Sequence, residues 1–120
     1  MLRVLRFFGV HDRMSGTLVA VSAVILALHA GLVALFLLPR FGSLDLLRLH
    51  YTADLGVDWI ADWRYLFVYP AAGAVALLVN GLVAGSVPEG QRGHAMILSA
   101  TVLLEIAFAA AGGIAVLLNS

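Results

Sequence analysis

Three long apolar runs dominate this sequence and decide what it can fold into. They extend roughly from Gly16 to Leu38, Leu66 to Val87 and Ala95 to Leu118, with almost no charge inside them. The hydrocarbon core of a bilayer takes about 20 apolar residues as helix, and in lipid each backbone N–H and C=O must find its partner within the protein. The expectation is therefore an all-α integral membrane protein: three transmembrane helices in a single membrane domain over residues 1–120, with a first loop over residues 39–65. Pro39 ends the first run, and "SVPEGQRG" is a breaker-rich connection between the second and third. That makes those two an antiparallel pair. The first run is too long for a signal-peptide core and ends in "LFLLPRFG", without small residues at cleavage spacing, so it reads as a retained span.

Composition agrees: 62% of the 120 residues are hydrophobic and 12% charged, which excludes an ordinary soluble domain. Seven basic residues, all arginine, balance seven acids, and no basic run offers a nucleic-acid footprint. There is no cysteine, which removes disulfides, thiolate nucleophiles and iron–sulfur ligation. Arg3, Arg6, Arg13 and Arg92 fall on one side of the spans and Arg40, Arg48 and Arg64 on the other. The positive-inside rule then places the amino terminus in the cytoplasm, by a margin of one arginine.

The loop holds the most polar stretch, "HYTADLGVDWIADW". On a continuous helix, His50, Asp54, Asp58 and Asp62 would share one face and could hold a divalent cation. Gly56 argues for a turn instead, followed by an interfacial helix with Asp58 as N-cap, Asp62 in the first turn, and Trp59, Trp63, Tyr65 and Tyr69 at headgroup depth. Asp58 and Asp62 would then repel mildly, and Asp62 and Arg64 would stand on different faces. Upstream, Leu44, Leu47 and Tyr51 have helical spacing while Leu47, Leu49 and Tyr51 have strand spacing, so both remain open.

Ionisable groups within spans are expensive and are functional candidates. Two occur here, His29 in the first span and Glu105 in the third, with Asn80 in the second. Helix rise puts His29 and Glu105 near one depth and Asn80 about 6 Å away from them, so a His29 to Glu105 contact is allowed. Ala72, Ala76, Asn80 and Ala84 form a small-residue stripe, Gly81 and Gly85 a GxxxG pair, and Thr101, Glu105, Ala109 and Gly112 share a face. Ser15, Ser22 and His29 recur at heptad spacing. A bundle with its polar groups inward follows. Those groups serve either as neutral packing contacts, as contacts with another subunit, or as a proton or cation path. Haem ligation is not expected: His29 is mid-span and His94 at a span end, too far apart in depth to ligate one iron, and His11 and His94, which could meet at one surface, look like boundary residues.

The stretch "LHYTADLGVDWIADWRYLFVYPAAGAVALLVNGLVA" resembles a group of small, uncharacterised three-span bacterial membrane proteins. The shared residues are Leu49, His50, Tyr51, Gly56, Asp58, Trp63, Pro70, Gly73 and Asn80. The resemblance implies the three-span topology and a bacterial membrane, and brings no activity with it. Within it, Pro70 removes a backbone bond to Leu66 and should kink the second span.

These features read as a small structural or accessory subunit of an inner-membrane assembly, embedded in lipid beside other membrane helices through Ala76, Gly81 and Gly85. The alternative is a small proton- or cation-conducting oligomer using His29 and Glu105. A loop metal or catalytic site from His50, Asp54, Asp58 and Asp62 comes third. No cofactor, metal or catalytic residue is assigned.

Overall fold

The computed structural model describes residues 10, 12–42, 46–88 and 92–120. Arg3, Arg6, His11, Leu44 and the middle of "SVPEGQRG" lie outside the described residues. Each apolar run forms a helix: α1 is Arg13–Leu37, extended by a 3-10 turn at Leu38–Arg40; α2 is Val68–Gly85, preceded by a 3-10 helix at Trp63–Phe67; α3 is Gly93–Leu117. With those extensions all three are long and apolar enough to cross a membrane. Leu28, Leu35, Leu103 and Leu117 are among the large apolar side chains left exposed on the helices, a surface that fits embedding in a lipid bilayer.

α3 is the central helix, packing against both α1 and α2, which touch each other far less. Two ties fix α1 parallel to α3. At one end, Asp12 accepts from the Ser15 backbone N–H at 2.7 Å while the Ser15 hydroxyl accepts from the Asp12 N–H at 3.2 Å, a reciprocal cap that satisfies donors at the helix start. The second Asp12 oxygen faces His94 Nε2, near the start of α3, at 3.5 Å. At the other end, the Arg40 guanidinium donates to Phe36 O at 2.9 Å and to Asn119 O at 3.2 Å.

The loop between α1 and α2 departs from the expected interfacial helix and adds a sheet to an otherwise helical chain. Strands β1, Leu46–Thr52, and β2, Gly56–Asp62, form an antiparallel hairpin. Its turn is Ala53–Leu55, closed by Gly56 at φ +73°, a conformation glycine takes without steric penalty. Asp58 therefore sits mid-strand, not at a helix cap. The strand wins because the inward residues come every second position: Leu47 and Leu49 on β1 are buried, and the less exposed Val57, Trp59 and Ala61 on β2 alternate with exposed Asp58 and Ile60.

Leu47 and Leu49 insert into the main apolar cluster with Val33, Leu37, Leu66, Tyr69 and Ala115, so the core sits at the hairpin end of the bundle. The ladder register shifts between Arg48 and His50, leaving Leu49 out of the pairing, and the Tyr69 hydroxyl donates to the Leu49 carbonyl at 2.5 Å. Just past α3, the Asn119 amide mimics a strand partner: its oxygen accepts from Arg48 N–H at 2.9 Å and its nitrogen donates to Arg48 O at 2.7 Å. Pro70 is the third residue of α2, within the first turn, where a missing N–H removes no intrahelical bond. The kink expected at Pro70 near the outer end of the span is thus replaced by a helix start.

Leu49 is 1% exposed, so Leu49→Ala should cost about 2–5 kcal/mol and lower the denaturant midpoint in detergent, with tryptophan fluorescence reporting undocking of Trp59 and Trp63. An unchanged midpoint would contradict the docked hairpin. The Ser15 hydrogen bonds, ahead of the His94 contact, hold the Asp12 carboxyl down at about 2 against an ordinary 3.8. A lowered folded-state value stabilises above the unfolded value and is lost as pH falls. Thermal stability should therefore drop as pH goes from about 4 to about 2, and the drop should flatten in Asp12→Asn. An equal slope in wild type and variant would show that the cap carries no linkage.

Candidate functional site: the polar interior of the bundle

On α1 the buried residues are Ser15, Ser22, His29, Val33 and Leu37; on α3 they are His94, Ala95, Leu98, Thr101, Glu105, Gly112 and Ala115. Leu98, Glu105 and Gly112 repeat every seventh residue, like Ser15, Ser22 and His29, so two parallel helices meet along matching heptad rows. His29 fixes the register: its imidazole packs over Gly112, occupying the space that a side chain on that glycine would need. Seven residues back on each helix, Ser22 then comes level with Glu105. The Glu105 carboxyl fills the space over Gly73 of α2, where an added Cβ would lie 2.5 Å from Oε2 and 3.2 Å from Leu26 Cδ1.

His29 and Glu105 are therefore not a hydrogen-bonded pair. Gly112 and Glu105 are seven residues apart on α3, about 10 Å of helix rise, so the ring sits nearer the hairpin than the carboxyl. Asn80 Nδ2 donates to Thr101 Oγ1 at 3.0 Å, and the Thr101 hydroxyl donates to Ile97 O at 3.0 Å. That places Asn80 one turn of α3 from Glu105, matching the offset of about 6 Å expected from helix rise.

Glu105 is 0% exposed, Ser22 1% and His29 4%. Both carboxyl oxygens, both ring nitrogens and the Ser22 hydroxyl are buried without a hydrogen-bond partner among the described residues. Buried polar atoms are nearly always paired, and an unpaired one costs on the order of 1–3 kcal/mol. Five such atoms in one interior mark this region as the chemically unusual part of the molecule.

The loop candidates separate. His50 Nδ1 and Asp58 Oδ1 meet at 2.7 Å across the hairpin on its exposed face. Asp62 instead caps the 3-10 helix, accepting from the Arg64 N–H at 3.0 Å and from Arg64 Nε at 2.8 Å. Arg64 thus holds the Asp62 carboxyl below its ordinary value, a contact made possible because Asp62 ends a strand. Asp54 lies in the turn, and among the described residues no three acidic or histidine side chains gather as metal ligands. Trp63 packs edge-on against Phe41 and Trp59 against Tyr65. Gly81 is buried in the bundle, Gly85 is half-buried, and Ala76 lines an open groove with Asn80.

Sequence reasoning passes over two residues that shape the site. Gly73 is visible there only as part of a resemblance, although Gly73, Gly81 and Ala84 fall on one side of α2 at helical spacing and are all buried, which marks a close-approach face. Asn119, one residue from the end, carries no sequence signal for a hairpin clip. The fold and interior define a mostly helical bundle with a polar interior and a two-stranded hairpin at one end, its three helices long and apolar enough to cross a membrane. Compared with protein families, curated proteins and solved structures, the chain matches none.

Gly73→Ala should destabilise the bundle, because either the α2–α3 contact opens or Glu105 leaves its seat. Glu105→Ala should rescue Gly73→Ala, whereas Glu105→Gln, which keeps the volume, should not. The expected coupling in a double-mutant cycle is about 0.5–3 kcal/mol; additive effects would mean the two residues do not touch.

Proposed function

We propose that the chain is a small accessory subunit of a membrane assembly, docking against the helix of another subunit through the groove between α2 and α3. The observation that carries this reading is the polar end of that groove. Ala71, Ala72, Val75 and Ala76 form a shallow apolar trough beside Leu104, and Asn80 closes it. Asn80 uses its nitrogen on Thr101, while its oxygen has no partner among the described residues. Lipid tails offer no donor to an amide oxygen, and apolar surface gives no driving force for association within a bilayer. Small residues that let a backbone approach, with one polar group wanting a partner, favour a second helix that presents a hydroxyl or amide.

The family resemblance, together with the arginine count on the two sides of the spans, supports a bacterial cytoplasmic membrane and a cytoplasmic amino terminus. The hairpin then stands on the periplasmic side, where an aromatic rim of Phe41, Trp59, Trp63 and Tyr65 suits the headgroup region.

Native mass spectrometry of the protein extracted gently from its host membrane tests this reading. A complex containing other polypeptides is expected, and Ala76→Leu or Ala72→Leu should release the chain while its own thermal transition stays intact. A wild-type chain that runs as a monomer, or variants that remain in the complex, would remove the groove as a docking face.

A further inference from the structure

The interior polar groups lie in one half of the bundle, interleaved there with the buried Ala95 and Leu98, and the main apolar cluster fills the other half. From the Asp12–His94 contact inward come Ser15, Thr101 with Asn80, Ser22 level with Glu105, and finally His29. Beyond His29 the interior is closed by Val33, Leu37, Leu66 and Ala115, each 0% exposed, with Leu49 at 1% and Leu47 at 3% brought in by the hairpin. The column is therefore blind at the hairpin end.

Which ligand could the carboxyl take there? The oxygens of Glu105 are sealed from solvent, and the volume over Gly73 is already filled by the carboxyl itself. Calcium takes 6–8 oxygen ligands and magnesium keeps several waters. Neither fits beside two unpaired oxygens with no space for water. A bare charge at this depth is expensive as well. The one cation that needs no cavity is a proton, which converts the carboxylate to the neutral acid with no other bond made or broken. Among the described residues, the titratable groups facing this interior are His29 and Asp12 from the α1 side and His94 from α3. α2 contributes the amide of Asn80 at this level, its Tyr69 lying at the hairpin end.

We infer that Glu105 is a proton-binding site reached from the Asp12–His94 end of the bundle only, the hairpin with its apolar plug keeping protons of the opposite compartment away from it. Along α3, His94 lies seven residues from Thr101 and Thr101 four from Glu105, about 10 Å and 6 Å, with Leu98 buried between the first two, so the column is a set of stepping points and not a continuous hydrogen-bonded wire. Exchange therefore depends on breathing of the helix ends on that side. This site senses the pH of one compartment; it does not conduct between two. The inference needs no docked partner, although Asn80 borders both the column and the groove.

The test is infrared difference spectroscopy of the full chain in liposomes, sorted by orientation with a tag on the carboxyl terminus. The sequence has two glutamates, Glu89 and Glu105, so carbon-13 glutamate labelling in a Glu89→Gln background assigns the carboxyl band without altering Glu105. A pH step on the Asp12 side should change the protonated-carboxyl band, and the same step on the hairpin side should leave it unmoved. Leu47→Ala with Leu49→Ala should make both sides effective, and should this variant fail to fold, Thr101→Val must still slow the response from the Asp12 side. A wild-type band that answers equally to both sides, or only to the hairpin side, overturns the inference. So does a band that responds to neither side. Labelling by a hydrophobic carbodiimide, read by intact mass, is expected at Glu105 and to decline as the Asp12-side pH rises; its absence at every pH also counts against the site.

Discussion

The parallel register of α1 and α3 is the constraint on which the rest of this structure depends. It is tied at both ends, by Asp12 to His94 and by Arg40 to the Asn119 carbonyl. In between it is held by the seating of the His29 ring on Gly112. Once that register is fixed, Ser22 comes level with Glu105, and α2, running antiparallel, must come close enough for Gly73 to face the carboxyl. A slip of one residue would turn each heptad position by about 100°, exposing Ser22 and His29 to lipid while burying leucines that now face it. The polar interior and the register thus specify each other, although neither alone is stabilising.

The hairpin follows from the same demand on backbone groups. Non-helical backbone is tolerable only outside the hydrocarbon region or where protein satisfies it, and here the protein satisfies it. The two strands pair with each other. Asn119 takes both backbone groups of Arg48, and Tyr69 takes the Leu49 carbonyl left out by the register shift. Two-stranded hairpins are marginal alone. This one is held by Leu47 and Leu49 sitting in the bundle mouth, so the end of α3, the start of α2 and the loop form one unit.

Much of this was legible in the sequence. The three helices were, because an apolar run long enough to span a bilayer has few alternatives, and so was the inward turn of Ser15, Ser22 and His29, from their heptad spacing. The depth offset between Asn80 and Glu105 also followed from helix rise. The hairpin was not, for a physical reason: Leu47, Leu49 and Tyr51 fit two periods at once. Further along, Trp59 and Trp63 have helical spacing, and the deciding fact was tertiary, an apolar mouth that accepts every second residue. Likewise, Asp62 and Arg64 are too close to pair on a helix, a rule that fails at the end of a strand. The separation of His29 from Glu105 depends on which glycine each side chain finds, and sequence spacing within single helices carries no information about that.

The distribution of polarity then bears on what the interior is for. Replacing buried polar groups by apolar ones of similar size is often neutral or stabilising, so a bundle that needed only to hold together would be expected to carry leucine or alanine where Ser22, His29 and Glu105 stand. At the hairpin end, among Val33, Leu37, Leu66 and Ala115, the chain has made that choice throughout. In the other half it has not, and it has placed glycines opposite the two bulkiest polar side chains so that they fit with their polar atoms unpaired. Stability is therefore concentrated where the hairpin docks, and the destabilising groups lie together in the other half, with Leu98 buried among them. A fold divided in this way keeps the Arg40–Asn119 tie and the docked hairpin in place when the polar half loosens.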